Sequence, residues 1–296
     1  MTNSLDADSK PPLAPAAGMA GLAALRAEID RIDDALHDLL MQRAEVVTKV
    51  AVSGKGRVAL RPGREAEILR RLLARNHGAL PGQGLVRIWR ELLAATTSMQ
   101  GPYVIAVCEP EPGAVFTQCA REHFGALTQL RLHRSWTQAL RDISAGTASV
   151  AVLPLPREED GARAVWWTAL LQKDEPRIHV IARLPFWTPR PESAPDVQAL
   201  VLAALAPDPT DNDRSLLGME LPLDVSRTRA TAALTEAGFS LGPVILRRDP
   251  GAEVAQILAD VAGHVTEADP RLDALRPILR RPVVLGAYAV PLGNPT

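Results

Sequence analysis

At 296 residues, with 47% hydrophobic and 23% charged side chains, the chain has room for two or three domains and is too apolar to be disordered. A formal net charge of -1 supplies no global field toward nucleic acid or anionic membrane, and no apolar run approaches the roughly 20 residues of a membrane span. The 2 cysteines, Cys108 and Cys119, lack metal-type spacing, which argues against a disulfide framework and a structural zinc and makes a reducing cytoplasm the expected compartment.

Residues 1–20 are rich in Pro, Ala and Ser and carry Asp6 and Asp8 where a signal peptide would be basic, so they read as a disordered leader. A helical domain is expected over 21–101. Its apolar residues Leu22, Leu25, Ile29, Ile32, Leu36 and Leu39, then Val46 and Val50, form a heptad seam that predicts a long helix packed lengthwise on a partner. A second helix is predicted from about Arg64 to Arg75 and a third ends near Gln100, with the HGALPGQG loop between them.

Beyond Gly101-Pro102, over 102–190, YVIAVCE, LTQLRLH, ASVAVLPL and RIHVIARL read as strands. VFTQCAREHFG, SWTQALRDISAG and ARAVWWTALL read as helices between them, so a small parallel-type α/β layer is expected. TPRPESAPD reads as a linker. Over 197–296 the order strand, helix, strand, strand, helix, strand predicts a ferredoxin-like βαββαβ module. Trp166-Trp167 is expected in a core, and the RLHR and RPILRR clusters on solvated faces. His133 and His179 have no carboxylate or cysteine at ligand spacing, so no metal site is expected.

Three places in the helical domain break its pattern. Arg43 occupies a seam position, Glu65 lies in line with Leu69 and Leu72 while Glu67 and Arg70 can face water, and Thr96 and Gln100 lie one turn apart beside Trp89, Leu92 and Leu93. Each alone has an ordinary explanation: a snorkelling arginine, a glutamate on a helix dipole, a polar helix end. Together they form a buried polar set that an anionic ligand would satisfy. Arg26 flanks the same seam, but 17 residues at about 1.5 Å each put it roughly 25 Å from Arg43. Both reach one small ligand only if Arg26 comes from an antiparallel second copy of the helix.

The sequence LRAEIDRIDDALHDLLMQRAEVV, a following lysine, RPGREAEILRRL and IWRELLAATTSMQ closely resemble the all-helical class of chorismate mutases over residues 22–100. The resemblance implies an all-α, intertwined homodimer with shared active sites, rearranging chorismate to prephenate without a cofactor. It implies that Arg26 of a partner chain and Arg43 take the substrate carboxylates, Glu65 accepts the ring hydroxyl, Thr96 supports the site, and Gln100 with a lysine faces the ether oxygen. Arg64 matches the family's arginine before the glutamate. The family spacing places the lysine at Gly54; Lys55 is assigned and Lys49 is the alternative. Arg61 departs from members that carry an acid there.

Residues 103 to about 294 more weakly resemble the dehydratase and regulatory portions of bifunctional chorismate mutase/prephenate dehydratases. Pro156, Arg157 and Glu158 stand where that family has Glu-Asn-Ser, and Gln198, Ala199 and Leu200 where it has Thr-Arg-Phe. No positioned acid for dehydration is evident. The terminal module resembles an amino-acid-binding regulatory domain of the ACT type, which implies a possible aromatic amino-acid effector, although its ligand segments are replaced. The leading expectation is a cytoplasmic chorismate mutase in aromatic amino-acid biosynthesis. A working bifunctional enzyme and a non-catalytic, metabolite-binding regulator are the alternatives.

Overall fold

The computed structural model describes residues 16–53, 60–159, 165–188, 190, 192 and 194–293. The chain divides into two compact units, residues 1–53 and 54–296. The predicted leader overlaps the first helix at residues 16–20; its remainder lies outside the described residues. That helix, α1 (Ala16–Ser53), is unbroken for 38 residues. It meets no proline after Pro15 and stops before Gly54. Its seam residues Leu22, Leu25, Ile29, Ile32, Leu36, Leu39, Val46 and Val50 are all exposed, Leu25 at 65%. Such a contiguous apolar stripe marks an interaction surface rather than a solvated face.

The second unit begins with α2 (Pro62–Ala74) and α3 (Gly82–Ser98). Proline at the first position of α2 loses nothing, because the amide it lacks would have no helical partner there. Ala66 and Leu69 of α2 and Val86 of α3 pack with Phe186 and Ala289 in one small core. Arg70, expected at the solvent face, is instead half-buried. It donates to Thr210 Oγ1, Asn212 O and Val290 O, each at 2.9 Å. A guanidinium fork spanning three oxygens fastens α2 to the chain around the sheet, each such charged hydrogen bond being worth about 1.5–3 kcal/mol.

The strands are β1 (Val104–Cys108), β2 (Gln129–His133), β3 (Val150–Pro154), β4 (His179–Leu184), β5 (Ala199–Ala203), β6 (Asp213–Pro222), β7 (Leu241–Arg247), β8 (Val254–Ala262) and β9 (Arg280–Ala289). The helices among them are α4 (Val115–Phe124), α5 (Trp136–Ser144), α6 (Trp166–Ala169), α7 (Arg227–Glu236) and α8 (Arg271–Leu275). All strands join one sheet in the order β2-β1-β3-β5-β4-β9-β6-β8-β7. The βαββαβ order predicted for the C-terminal part is present from β6 to β9. Its strands continue the sheet of the preceding α/β part.

Two features differ from expectation. The layer is mixed rather than parallel-type: β1 pairs in parallel with β2 and β3, but β5 lies antiparallel between β3 and β4. β5 itself is absent from the sequence-based elements, because ALVLA follows a proline-rich stretch. All five of its residues are buried, as a central strand covered on both faces requires. α6 is also shorter than ARAVWWTALL suggested and gives way to a 3-10 turn at Leu170–Gln172. Trp166 and Trp167 are in the core as expected, and Trp166 Nε1 donates to Pro154 O at 2.9 Å.

The halves of the sheet meet at β4 and β9, where Val180 pairs in parallel with Gly286. Gly286 has φ +138°, and a Cβ there would stand 2.1 Å from Val180 O, so only glycine permits this approach. Beside the junction lies a buried polar network. Asp260 accepts from the Tyr288 hydroxyl and from Arg214 Nε, both at 2.6 Å. Arg183 donates to Tyr288 Oη at 3.2 Å and to Gln198 Oε1 at 2.7 Å. Burial first, then the Asp260 charge, push the Tyr288 phenol above its usual range, so it remains a donor.

Candidate functional site

Arg26, Arg43 and Lys49 lie on α1; Arg26 and Lys49 are exposed. Because α1 is continuous, the 17 residues from Arg26 to Arg43 (43 − 26) still span roughly 25 Å, too far for one small ligand to bridge on a single copy. Lys55 lies outside the described residues.

The second unit carries Arg64, Glu65, Thr96 and Gln100. Arg64 is exposed and pairs with Glu67 at 3.2 Å, one helical turn away. Glu65 faces inward as its position beside Leu69 and Leu72 implied: its side chain is 16% exposed, and its Oε2 accepts from Arg90 Nη1 at 2.9 Å. Thr96 is buried and donates to Leu92 O at 2.8 Å. Gln100 Nε2 donates to Thr96 O at 3.3 Å, so Thr96 and Gln100 meet across one turn of the end of α3. Arg61 forms an ion pair with Asp208 at 3.1 Å, which gives the position a structural partner where an acid was noted in some relatives by resemblance.

Arg90 escaped the sequence pattern and is the residue that pairs with Glu65. It is 4% exposed, its guanidinium lies 4.8 Å above the Phe186 ring, and Nη1 stands 3.5 Å from His123 Nε2. A signal was available: the buried residues Val86, Arg90, Leu93 and Thr97 repeat at spacings of four, three and four along α3. Burial pulls the Arg90 pKa down and the Glu65 charge opposes that pull, so the buried ion pair holds the arginine charged. The same burial, with the Glu65 charge added, raises the Tyr103 phenol well above its ordinary value.

Burial first, and the Arg90 charge second, depress the His123 imidazole well below the histidine range. The folded protein therefore holds His123 neutral while the unfolded chain takes up a proton near its ordinary value of about 6.5. Below that pH the unfolded state binds the extra proton, so this group's contribution destabilises the fold progressively on acidification. Stability should fall by about 1 kcal/mol between pH 7.5 and 5.5 from this residue, and His123→Gln should flatten that slope in urea unfolding measured at both pH values. An equal slope in the variant would contradict the assignment.

A second constellation lies at the C-terminal ends of β1, β2 and β3. Since β1 connects to β2 on one side while β3 flanks it on the other, this is the switch point at which open α/β sheets form a crevice. A cavity of about 640 Å³ opens there, its walls including Phe116, Arg134, Trp136, Arg157, Trp166 and Gln198. Of the residues expected to replace dehydratase motifs, Arg157 and Gln198 line it, Glu158 is turned to an ion pair with Arg227, and Ala199 and Leu200 are fully buried in β5. Arg134, read from RLHR as part of a solvated face, stands at the wall of this cavity. Cys108 lines the floor, but burial pushes its thiol up to about 11, so it supplies no thiolate at neutral pH. His133, near which the sequence showed no carboxylate at metal-ligand spacing, lies 3.0 Å from Asp142. No cluster of three or more potential metal ligands occurs among the described residues. No helix among them is long and apolar enough to cross a membrane.

Residues 25–101 match the family described as chorismate mutase type II. A bifunctional chorismate mutase/prephenate dehydratase of Pseudomonas aeruginosa is 30% identical over 149 residues, spanning 48% of this chain and 40% of that protein. The chain thus aligns with less than half the length of this curated relative. Among solved structures, one described as GqqA, a novel type of quorum quenching acylase, superposes with a TM-score of 0.49 at 20% identity, over 64% of this chain and 96% of its own. A prephenate dehydratase from Streptococcus mutans gives a TM-score of 0.48 at 17% identity, over 64% and 100%. Likenesses this loose carry no functional argument.

Proposed function

We propose that this protein is a chorismate mutase that converts chorismate to prephenate. The single observation carrying the reading is the family match over residues 25–101, which contains Arg26, Arg43, Arg64, Glu65 and Thr96 on described helices and Gln100 in the turn just after α3. The rearrangement breaks an ether C–O bond as a C–C bond forms within one molecule. It needs no nucleophile, so catalysis consists of holding the reactive conformer and stabilising charge on the departing oxygen. Arg43 and a partner chain's Arg26 take the two carboxylates through guanidinium forks, and Gln100 and Lys55 donate to the ether oxygen. Glu65 accepts the ring hydroxyl, its carboxylate steadied by Arg90 at 2.9 Å.

A homodimer with shared sites is part of the proposal. The exposed seam of α1 supports it, as does the roughly 25 Å between Arg26 and Arg43, which a single copy leaves unbridged. Residues 21–101 form the mutase domain in this reading, 102–190 a dehydratase-like part and 197–296 an ACT-like part, the last supported by its βαββαβ order. A biosynthetic role in a reducing cytoplasm accords with this reading. The name of the relatives favours a second, bifunctional reading; Pro156, Arg157 and Glu158, standing where that family has Glu-Asn-Ser, argue against it.

Purified protein given chorismate should bleach the substrate's ultraviolet absorbance and accumulate prephenate. Absence of turnover would remove both readings. Phenylpyruvate formed without acid would establish the bifunctional one.

A further inference from the structure

We propose that the cleft at the C-terminal ends of β1 and β3 binds the zwitterion of an aromatic α-amino acid. Its walls carry two arginines, Arg134 and Arg157, and two carboxylates, Glu111 and Asp196. Phe116 and Trp136, both half-buried, add aromatic surface to the same space. A lining with balanced charge suits a ligand that is itself both cationic and anionic.

The cationic side is built rather than accidental. Arg134 Nη1 donates to the Glu109 main-chain oxygen at 3.3 Å, which anchors the guanidinium at the wall. The Glu109 carboxylate is occupied elsewhere, accepting from Thr117 N at 2.9 Å and Thr117 Oγ1 at 3.0 Å at the start of α4. It therefore does not cancel Arg134. Ser135 caps α5 by accepting from Gln138 N, and with Trp136 it brings the start of that helix to the cavity. The ligand's carboxylate goes to Arg134, Arg157 and this helix start, its ammonium to Glu111 and Asp196, and its ring between Phe116 and Trp136. About 640 Å³ is ample for such a molecule with bridging water.

This site is separate from the mutase reading and from any effector site in the C-terminal βαββαβ part. Titration calorimetry on the full chain with L-phenylalanine, L-tyrosine and L-tryptophan should show saturable binding of at least one, at one site per chain. Phenylpyruvate and the N-acetyl amino acid, which lack the ammonium, should bind the unaltered protein at least tenfold more weakly. Arg134→Ala and Asp196→Asn should each weaken binding at least tenfold. Binding of none of the three amino acids would overturn the proposal. So would equal binding of phenylpyruvate, tighter binding of prephenate, or undiminished affinity in both variants, which would place the amino acid elsewhere. Chorismate turnover is read independently, so failure of one proposal is not failure of the other.

Discussion

Replacing Gln100 or Arg43 with alanine should lower kcat/KM for chorismate at least about a hundredfold, roughly 3 kcal/mol of transition-state stabilisation. A reaction without a nucleophile or a proton transfer has few other sources of acceleration. Losing one donor to the ether oxygen, or one carboxylate fork, therefore falls directly on the barrier. Gln100 sits at the end of α3 with its amide already held at Thr96 O, so its removal leaves the helix core of Val86, Leu93 and Ala94 in place. The loss should appear in turnover with little change in thermal stability. A decrease smaller than tenfold at both positions would mean that the pocket lies elsewhere.

The largest expected effect on stability is at Asp260. Its side chain is 9% exposed and accepts from Tyr288 and Arg214, with Arg183 at 3.8 Å. Asp260→Ala leaves Arg214 and Arg183, each about a quarter exposed, without their carboxylate and leaves the Tyr288 hydroxyl without its acceptor, at a cost of about 2–3 kcal/mol. Tyr288→Phe removes one hydrogen bond and should cost about 1 kcal/mol. Urea unfolding midpoints distinguish the two. Equal, small shifts would show that the network does not hold the sheet junction together.

Much of the helical part was legible because its signals are periodic and local. The heptad seam of α1 and the inward side of Glu65 follow from spacing along one helix, whereas α2 opens at Pro62, two residues before the expected start at Arg64. Arg70 and Arg90 were not legible in the same way, although both are arginines on amphipathic helices. Arg90 stands in the buried stripe of α3 and could be found there; Arg70 looks like any surface residue, since its three acceptors lie 140 to 220 residues away. The strand β5 was hidden for another reason. Its uninterrupted apolar run lacks the alternation that identifies a half-exposed strand, and its partners β3 and β4 precede it in the chain. The cleft was visible only as replaced motifs; that Arg134, Arg157, Glu111 and Asp196 share one cavity is a product of topology.

The shared-site account is tested most directly by mixing two inactive chains, Arg26→Ala and Arg43→Ala, after confirmed subunit exchange. If each active site draws Arg26 from one chain and Arg43 from the other, hybrid dimers contain one site with both arginines intact, and chorismate turnover should recover to a measurable fraction of the unaltered enzyme. Exchange without any recovery would contradict the account.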